Sequence, residues 1–344
     1  MDSLLAQSFQ DFEIVAVDDC STDGTPSIIE SYAEKFGGRL KFAKTFKNSG
    51  SGTLPRNKGI DYACGKYIYL MDNDDALTPT ALEELYALAE EYQVDVVHCE
   101  KYYNVPREFS NTAESRGQLK PFNYLTGENC LVKEPVIWTN NFEERIKIFA
   151  QRKLIWNYWV QLVRRDFIIK NSIKLVGILA DDMIFTMCEL CCAERYVVVP
   201  NVVYLYRQRD DSLIHKRLEP EKHMHRWLSM FKDGIEYLDE FLGEREIFSR
   251  RPDLKYVLFD AFAQETLKHL NEIYIKVPVH ALDEILRKEF GDGDNAALLT
   301  FVFSTMNLYR LQLIQAQNEN ARLEREFRLL KRKMEEIIRK LKQE

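Results

Sequence analysis

The chain predicts an α/β fold: a doubly wound, nucleotide-binding sheet followed by helices and a terminal heptad repeat. Three observations lead there. Short apolar runs alternate with helical segments in the order β-α-β-α-β. Two of those runs end abruptly in clustered carboxylates, at Asp18-Asp19 and at Asp72-Asn73-Asp74-Asp75. The C-terminal stretch then repeats apolar residues at 3–4 spacing.

The first run, Glu13–Val17, reads as a short strand. Ser21-Thr22-Asp23-Gly24-Thr25 supplies a polar turn and cap, and a helix is expected over Pro26–Phe36. Asn48-Ser49-Gly50-Ser51-Gly52 is a loop whose backbone can approach a ligand closely. Arg56 and Asn57 follow on a helix expected to run to Cys64. Tyr67–Met71 reads as a strand buried on both faces, as in a parallel sheet. Ligands of open α/β sheets bind at the carboxyl ends of the strands. Three acids there repel one another, so a cation should neutralise them. Hard divalent ions such as Mg²⁺ or Mn²⁺ take oxygen ligands and are shared with substrate phosphates. A plainer reading makes the same acids a solvated turn, with Thr78 capping a helix that starts near Pro79.

Five segments, in order and with matching spacing, resemble family 2 glycosyltransferases. They are Ser3–Phe9, Glu13–Asp23, Asn48-Ser49-Gly50, Arg56–Ile60 and Gly65–Asp75. Trp156–Trp159 with Arg164–Phe167 looks like the family's acceptor-side segment. Ala180–Phe185 sits where the family has Glu-Asp, here Asp181-Asp182, and Tyr204–Ser212 resembles the motif that closes the catalytic domain. The resemblance covers roughly residues 1–217. It implies the GT-A doubly wound nucleotide-diphospho-sugar transferase fold, inversion at the sugar, and a UDP-sugar donor with Mn²⁺ or Mg²⁺. It also implies roles. Asp19 binds the base, Asn48 and Arg209 contact the nucleotide-sugar, and Arg56 contacts the nucleotide or its diphosphate. Asp72 touches the ribose or the metal shell, and Asp74 ligates the metal. Asp182, flanked by Asp181, deprotonates an acceptor hydroxyl. His215 is a third metal ligand or a diphosphate contact by analogy, and otherwise a surface histidine. The acceptor implied is a saccharide or glycolipid of surface-polysaccharide synthesis.

Family members open with a strand and a helix ahead of the segment where this chain begins. In the family's sheet that strand lies between those formed by Glu13–Val17 and Tyr67–Met71. The expectation is therefore a gap or a new direct pairing between the two, with weak donor binding and low stability. Two rival functions follow: a nucleotidyltransferase, and a catalytically impaired transferase domain acting as a coiled-coil scaffold.

Composition frames the rest. The 344 residues are 46% hydrophobic and 29% charged, with a net charge of -7 that argues against general nucleic-acid binding. No apolar run reaches the ~18 residues that span a bilayer. With seven cysteines in no framework spacing, the expected location is the cytoplasm, reaching to the inner face of a membrane. Cys188, Cys191 and Cys192 read as small core residues on a helix over Asp182–Glu194 rather than a metal site. Residues 219–305 carry apolar residues at helical spacing, as at Trp227, Met230, Phe231, Leu258 and Phe262.

The domain boundaries expected are 1–105 for the nucleotide-sugar half and 106–218 for the acceptor half. An α-helical subdomain over 219–305 and a coiled coil over 306–344 complete them. In the last, Met306, Leu313, Asn320, Phe327, Met334 and Leu341 share one heptad position, and Tyr309, Ala316, Leu323, Leu330 and Ile337 share the other. Asn320 in that seam favours a parallel homodimer. Residues 322–344 hold nine basic and five acidic side chains, a net of +4. A weak attraction to an anionic membrane and a solvated coil surface explain this equally well.

Overall fold

The computed structural model describes residues 1–105, 134–177, 179–207, 219–274, 276–277, 279–291, 302, 312 and 315–331. Arg209 and His215 lie outside the described residues, as does most of the heptad segment. Contacts divide the chain into two compact units. The first holds Met1–Leu218 with Arg226–Leu267, and the second Glu219–His225 with Lys268–Glu344. The helical stretch read as one subdomain is thus shared between the two.

In the first unit the described elements run α1 (Asp2–Leu5), β1 (Ile14–Asp18), α2 (Thr25–Ser31), β2 (Leu40–Lys44), α3 (Thr53–Tyr62), β3 (Tyr67–Tyr69) and β4 (Ala76–Leu77). Then come α4 (Ala81–Tyr92), β5 (Val96–Cys99), β6 (Tyr103–Val105), β7 (Val136–Thr139), α5 (Phe142–Ala150) and β8 (Gln161–Arg164). They are followed by α6 (Arg165–Lys170), α7 (Asp181–Cys192), β9 (Arg195–Val199) and β10 (Tyr204–Arg207). Helices α8 (Pro220–Gly243), α9 (Glu246–Arg250), α10 (Pro252–Tyr274) and α11 (Val279–Phe290) complete the order.

The strands form three sheets. The largest is ordered β3-β8-β5-β9-β7. Only β5–β9 is parallel in it; the pairs β3–β8, β5–β8 and β7–β9 are antiparallel. The sheet is therefore mixed, and β3 has an antiparallel neighbour where the sequence pointed to parallel ones. An apolar run records burial, not the direction of the partner strand. β1 and β2 pair in parallel as a separate two-stranded sheet, from Ile14↔Leu40 to Asp18↔Lys44. Among the described residues no ladder joins β1 to β3, so the alternative with no direct pairing is the one observed. The third sheet, β4-β10-β6, closes against the acidic turn after β3.

The core packs on the large sheet. Val96, Val97, Tyr196 and Val197 are fully buried, and α4 contributes Ala81, Leu85 and Ala89, one turn apart on a single face. Truncating Leu85 to Ala should cost about 2–5 kcal/mol. Helix α4 starts two residues later than expected, with Thr80 at its N-cap. Thr78 instead donates its backbone N–H to the Val203 carbonyl at 2.9 Å, tying the turn to the residue before β10.

In the second unit, Leu282 and Leu286 of α11 are fully buried and Ala281 nearly so. Residues 315–331 form a helix whose described side chains are all exposed, Leu323, Phe327 and Leu330 at 50%, 69% and 59%. No described helix of the chain is long and apolar enough to cross a membrane.

Candidate active site

The carboxyl end of β3 runs directly into the acidic turn. The Asp75 N–H reaches back to the Asp72 carbonyl at 3.4 Å. Asp75 is buried and binds β10 twice: Tyr204 Oη donates to it at 2.6 Å and the Arg207 N–H at 2.7 Å. Burial raises its pKa to about 7, against those two bonds and with the help of the charges of Asp74 and Asp72. Asp75 thus anchors the turn, while Asp72 and Asp74 remain half-buried at its rim.

Arg56 lies at the centre. Its Nη2 donates to Asp72 Oδ1 at 2.5 Å, and its Nη1 sits 3.7 Å from Asp181 Oδ2. The guanidinium lies over the Tyr158 ring at 4.8 Å, and Tyr158 Oη donates to the same Asp72 oxygen at 3.2 Å. Gly52 makes this possible, since a Cβ there would sit 1.9 Å from Nη1. Burial opposes the charge on Arg56, but Tyr158, Asp72 and Asp181 more than restore it, so the cation is held firmly. The helix that follows the glycine-rich loop therefore brings the strand-end acid and the α7 acids to one cation. The loop's sequence had promised only a close backbone approach.

Asp181 and Asp182 open α7, whose N-terminus favours negative charge. Both pKa values are nevertheless raised. Burial is the main cause for each, and the charge of Asp181 adds to it at Asp182. Asp182 Oδ2 accepts from Asn157 Nδ2 at 2.9 Å, and Oδ1 from the Met183 N–H at 2.9 Å. A half-buried carboxyl, oriented by an amide and kept basic by burial, is suited to take a proton near neutral pH.

Asp19 serves its own loop. Ser49 donates to Oδ2 through both N–H and hydroxyl at 2.8 Å, and Thr45 donates to Oδ1 at 2.9 Å. Asn48 Nδ2 binds the Asp19 carbonyl at 2.9 Å. Burial pushes the Asp19 pKa up, but these donors outweigh it and hold the carboxylate ionised. Asp19 and Asn48 are brought together, and the loop they shape leads into α3.

Asp72 and Asp74 are an all-oxygen donor pair. That chemistry fits a hard divalent ion, which one or two carboxylates hold when phosphates and water supply the rest. Among the described residues no three His, Cys, Asp or Glu side chains group as a metal shell of their own. Cys188 is buried, and Cys192 Sγ accepts from Arg245 at 3.2 Å.

Sequence reasoning passed over Asp75, Asn157, Tyr158 and Arg207 as site residues. The aromatic-Asn-aromatic run and the fourth residue of the acidic turn were visible, but their roles depend on contacts distant in sequence, from 25 positions for Asn157–Asp182 to 86 for Tyr158–Asp72 and 132 for Arg207–Asp75.

Residues 1–151, slightly under half of the chain, match the glycosyl transferase family 2 profile. A cholesterol galactosyltransferase of Borreliella burgdorferi is 32% identical over 211 residues, 60% of this chain and 55% of that protein. Residues 1–151 thus resemble glycosyl transferase family 2. An uncharacterized glycosyltransferase of Escherichia coli, YibD, is 28% identical over 65% of this chain and 61% of its own. The chain thus spans somewhat over half the length of these relatives. A crystal structure of Staphylococcus aureus TarS in complex with UDP-GlcNAc superimposes with a TM-score of 0.58 at 21% identity, over 84% of this chain and 76% of that one. That likeness establishes the GT-A fold.

Proposed function

We propose that this chain is a family 2 glycosyltransferase that transfers a sugar, with inversion, from a nucleotide-diphosphate donor of the UDP class to a hydroxyl of a saccharide or glycolipid. The observation that carries the reading is Arg56, which brings Asp72 and Asp181 to one cation at the end of β3. Donor-side and acceptor-side acids are thereby held by one guanidinium. Asp182 accepts the acceptor's proton as its oxygen attacks the anomeric carbon. The bond to the diphosphate breaks on the opposite face, and no covalent intermediate on the protein is needed. Arg56, released from Asp72, is placed to meet diphosphate charge. Mn²⁺ or Mg²⁺ held by Asp74 and Asp72 would stabilise the leaving diphosphate as a Lewis acid. The names of the relatives above support a sugar transferase, and only the cholesterol galactosyltransferase names an acceptor, so the acceptor is put forward only as a class.

We also propose a parallel homodimer through 306–344. The apolar seam at Leu323, Phe327 and Leu330 on an exposed helix supports it, as does Asn320 in register with that seam. Light scattering of the full chain should give a dimer; a monomer at micromolar concentration rejects this element alone.

The test of the main reading is UDP release from UDP-GlcNAc, UDP-glucose and UDP-galactose in Mn²⁺, with and without a saccharide acceptor. Acceptor-stimulated release is expected from one donor. No binding of UDP and no release from any donor would reject the transferase reading.

A further inference from the structure

The described residues of segment 171–180 have no regular structure, yet this segment leads into Asp181 and Asp182 at the start of α7. What holds it is one face of α3. Thr53, Arg56 and Asn57 are spaced i, i+3 and i+4 and so share that face. Asn57 Nδ2 donates to the Leu175 carbonyl at 2.8 Å, and Asn57 Oδ1 accepts the Leu175 N–H at 3.0 Å. Both bonds go to one residue, so the side-chain amide stands in for a neighbouring strand. Thr53 Oγ1 donates to the Gly177 carbonyl at 2.6 Å and lies 3.2 Å from Asp181 Oδ2. On its other side the segment is pressed against α8. Gly177 has φ +91°, and a Cβ there would lie 2.1 Å from Met230 Sδ. Ile173 and Leu175 are buried, so the backbone groups that Asn57 satisfies have little access to water.

We propose that Asn57 is a positioning residue for the proton acceptor. By clamping Leu175 it fixes the backbone ahead of α7 and hence where Asp182 stands relative to the Arg56–Asp72 pair. This rests on the reading of Asp182 as the base. The amide of Asn57 has one N–H and its oxygen committed to Leu175, so its effect passes through the backbone rather than through the donor. A displacement of about 1 Å at a reacting group costs about 10²-fold in rate.

The experiment compares the full-length wild type with Asn57→Ala and Asn57→Asp. Asn57→Asp can still accept from the Leu175 N–H but cannot donate to its carbonyl. Three quantities are read: UDP affinity in Mn²⁺ by calorimetry, the pH profile of UDP release from the donor found active, and amide exchange along 173–183. For Asn57→Ala the expectation is a kcat about 10²-fold lower with the donor KM within about threefold. The acid limb of its profile should move to lower pH, because a loosened Asp182 is less buried. Exchange at 175–182 should accelerate at least about tenfold, while β5 and β9 stay protected. Asn57→Asp should fall between the other two. An unchanged acid limb and unchanged exchange in folded Asn57→Ala overturn the proposal, as does a loss confined to donor KM. Should Asn57→Ala not fold, the same measurements on Asn57→Asp support or overturn it in the same way. If Asp182→Asn turns over normally, the base assignment fails instead; exchange at 175–182 then still decides whether Asn57 holds the segment.

Discussion

In β1 only Asp18 is buried and β2 has no buried residue, whereas every residue of β5 and all but the first of β9 are buried. The same site thus rests on two foundations. Asp19 and its loop follow a strand with one neighbour, held largely by polar bonds of the loop itself. Asp181 and Asp182 open a helix whose residues Ile184, Met187 and Cys188 are fully buried. A donor-binding loop can take part of its packing from the ligand it closes on. A proton acceptor whose basicity comes from burial needs a surface already in place before substrate arrives.

The sharpest break in this comparison is at the strand-end acid. Asp74→Ala should abolish Mn²⁺-dependent UDP binding by calorimetry while leaving the melting temperature within a few degrees, since the half-buried Asp74 rims a turn whose anchor is Asp75. Retention of near-normal turnover in Mn²⁺ would remove Asp74 from the site.

Next comes the proposed base. Asp182→Asn should lower the transfer rate ~10²–10⁴-fold with UDP affinity preserved. It should also raise stability at pH 8. The folded carboxyl holds its proton to higher pH than the unfolded one, so unfolding releases a proton and stability falls as pH rises through the folded pKa. A melting temperature that drops on Asp182→Asn at pH 8 would point to a structural carboxylate. A larger rate loss in Asp181→Asn than in Asp182→Asn would move the base to Asp181.

The foundations themselves can be compared directly. Leu85→Ala, under the large sheet, should cost about 2–5 kcal/mol in urea unfolding. Val15→Ala in β1 should cost ~1 kcal/mol or less, because Val15 is only half-buried. Equal costs would mean that β1 is as firmly packed as α4 on the large sheet.

A last comparison is the pH dependence from Asp75. Its folded pKa of about 7 lies above the unfolded carboxylate value, so its contribution is complete at low pH and lost as pH rises from about 4 through 7. A pH series of melting temperatures on Asp74→Ala, which keeps Asp75 and its burial but removes one charge that helps raise its pKa, should show this slope reduced yet still present.

Much of this was legible in the chain. Apolar runs ending in acids placed β1, β3 and the acidic turn within a residue or two, because a buried strand and its polar end leave a local pattern. The pair Asp181-Asp182 at the start of α7 was equally plain. The helix over Pro26–Phe36 was read too long: α2 ends at Ser31, where turns lead to Gly37 and Gly38 at positive φ. Asp75, by contrast, looked like its neighbours. Only β10, which brings Tyr204 and Arg207 to it across some 130 positions, separates an anchor from the acids at the rim. The antiparallel partner of β3 and the clamp of Asn57 on Leu175 are decided in the same way. Strand ends, caps and seams are set by neighbours in sequence. Ionisation and positioning depend on which distant groups burial brings into contact, and that is a property of the folded packing alone.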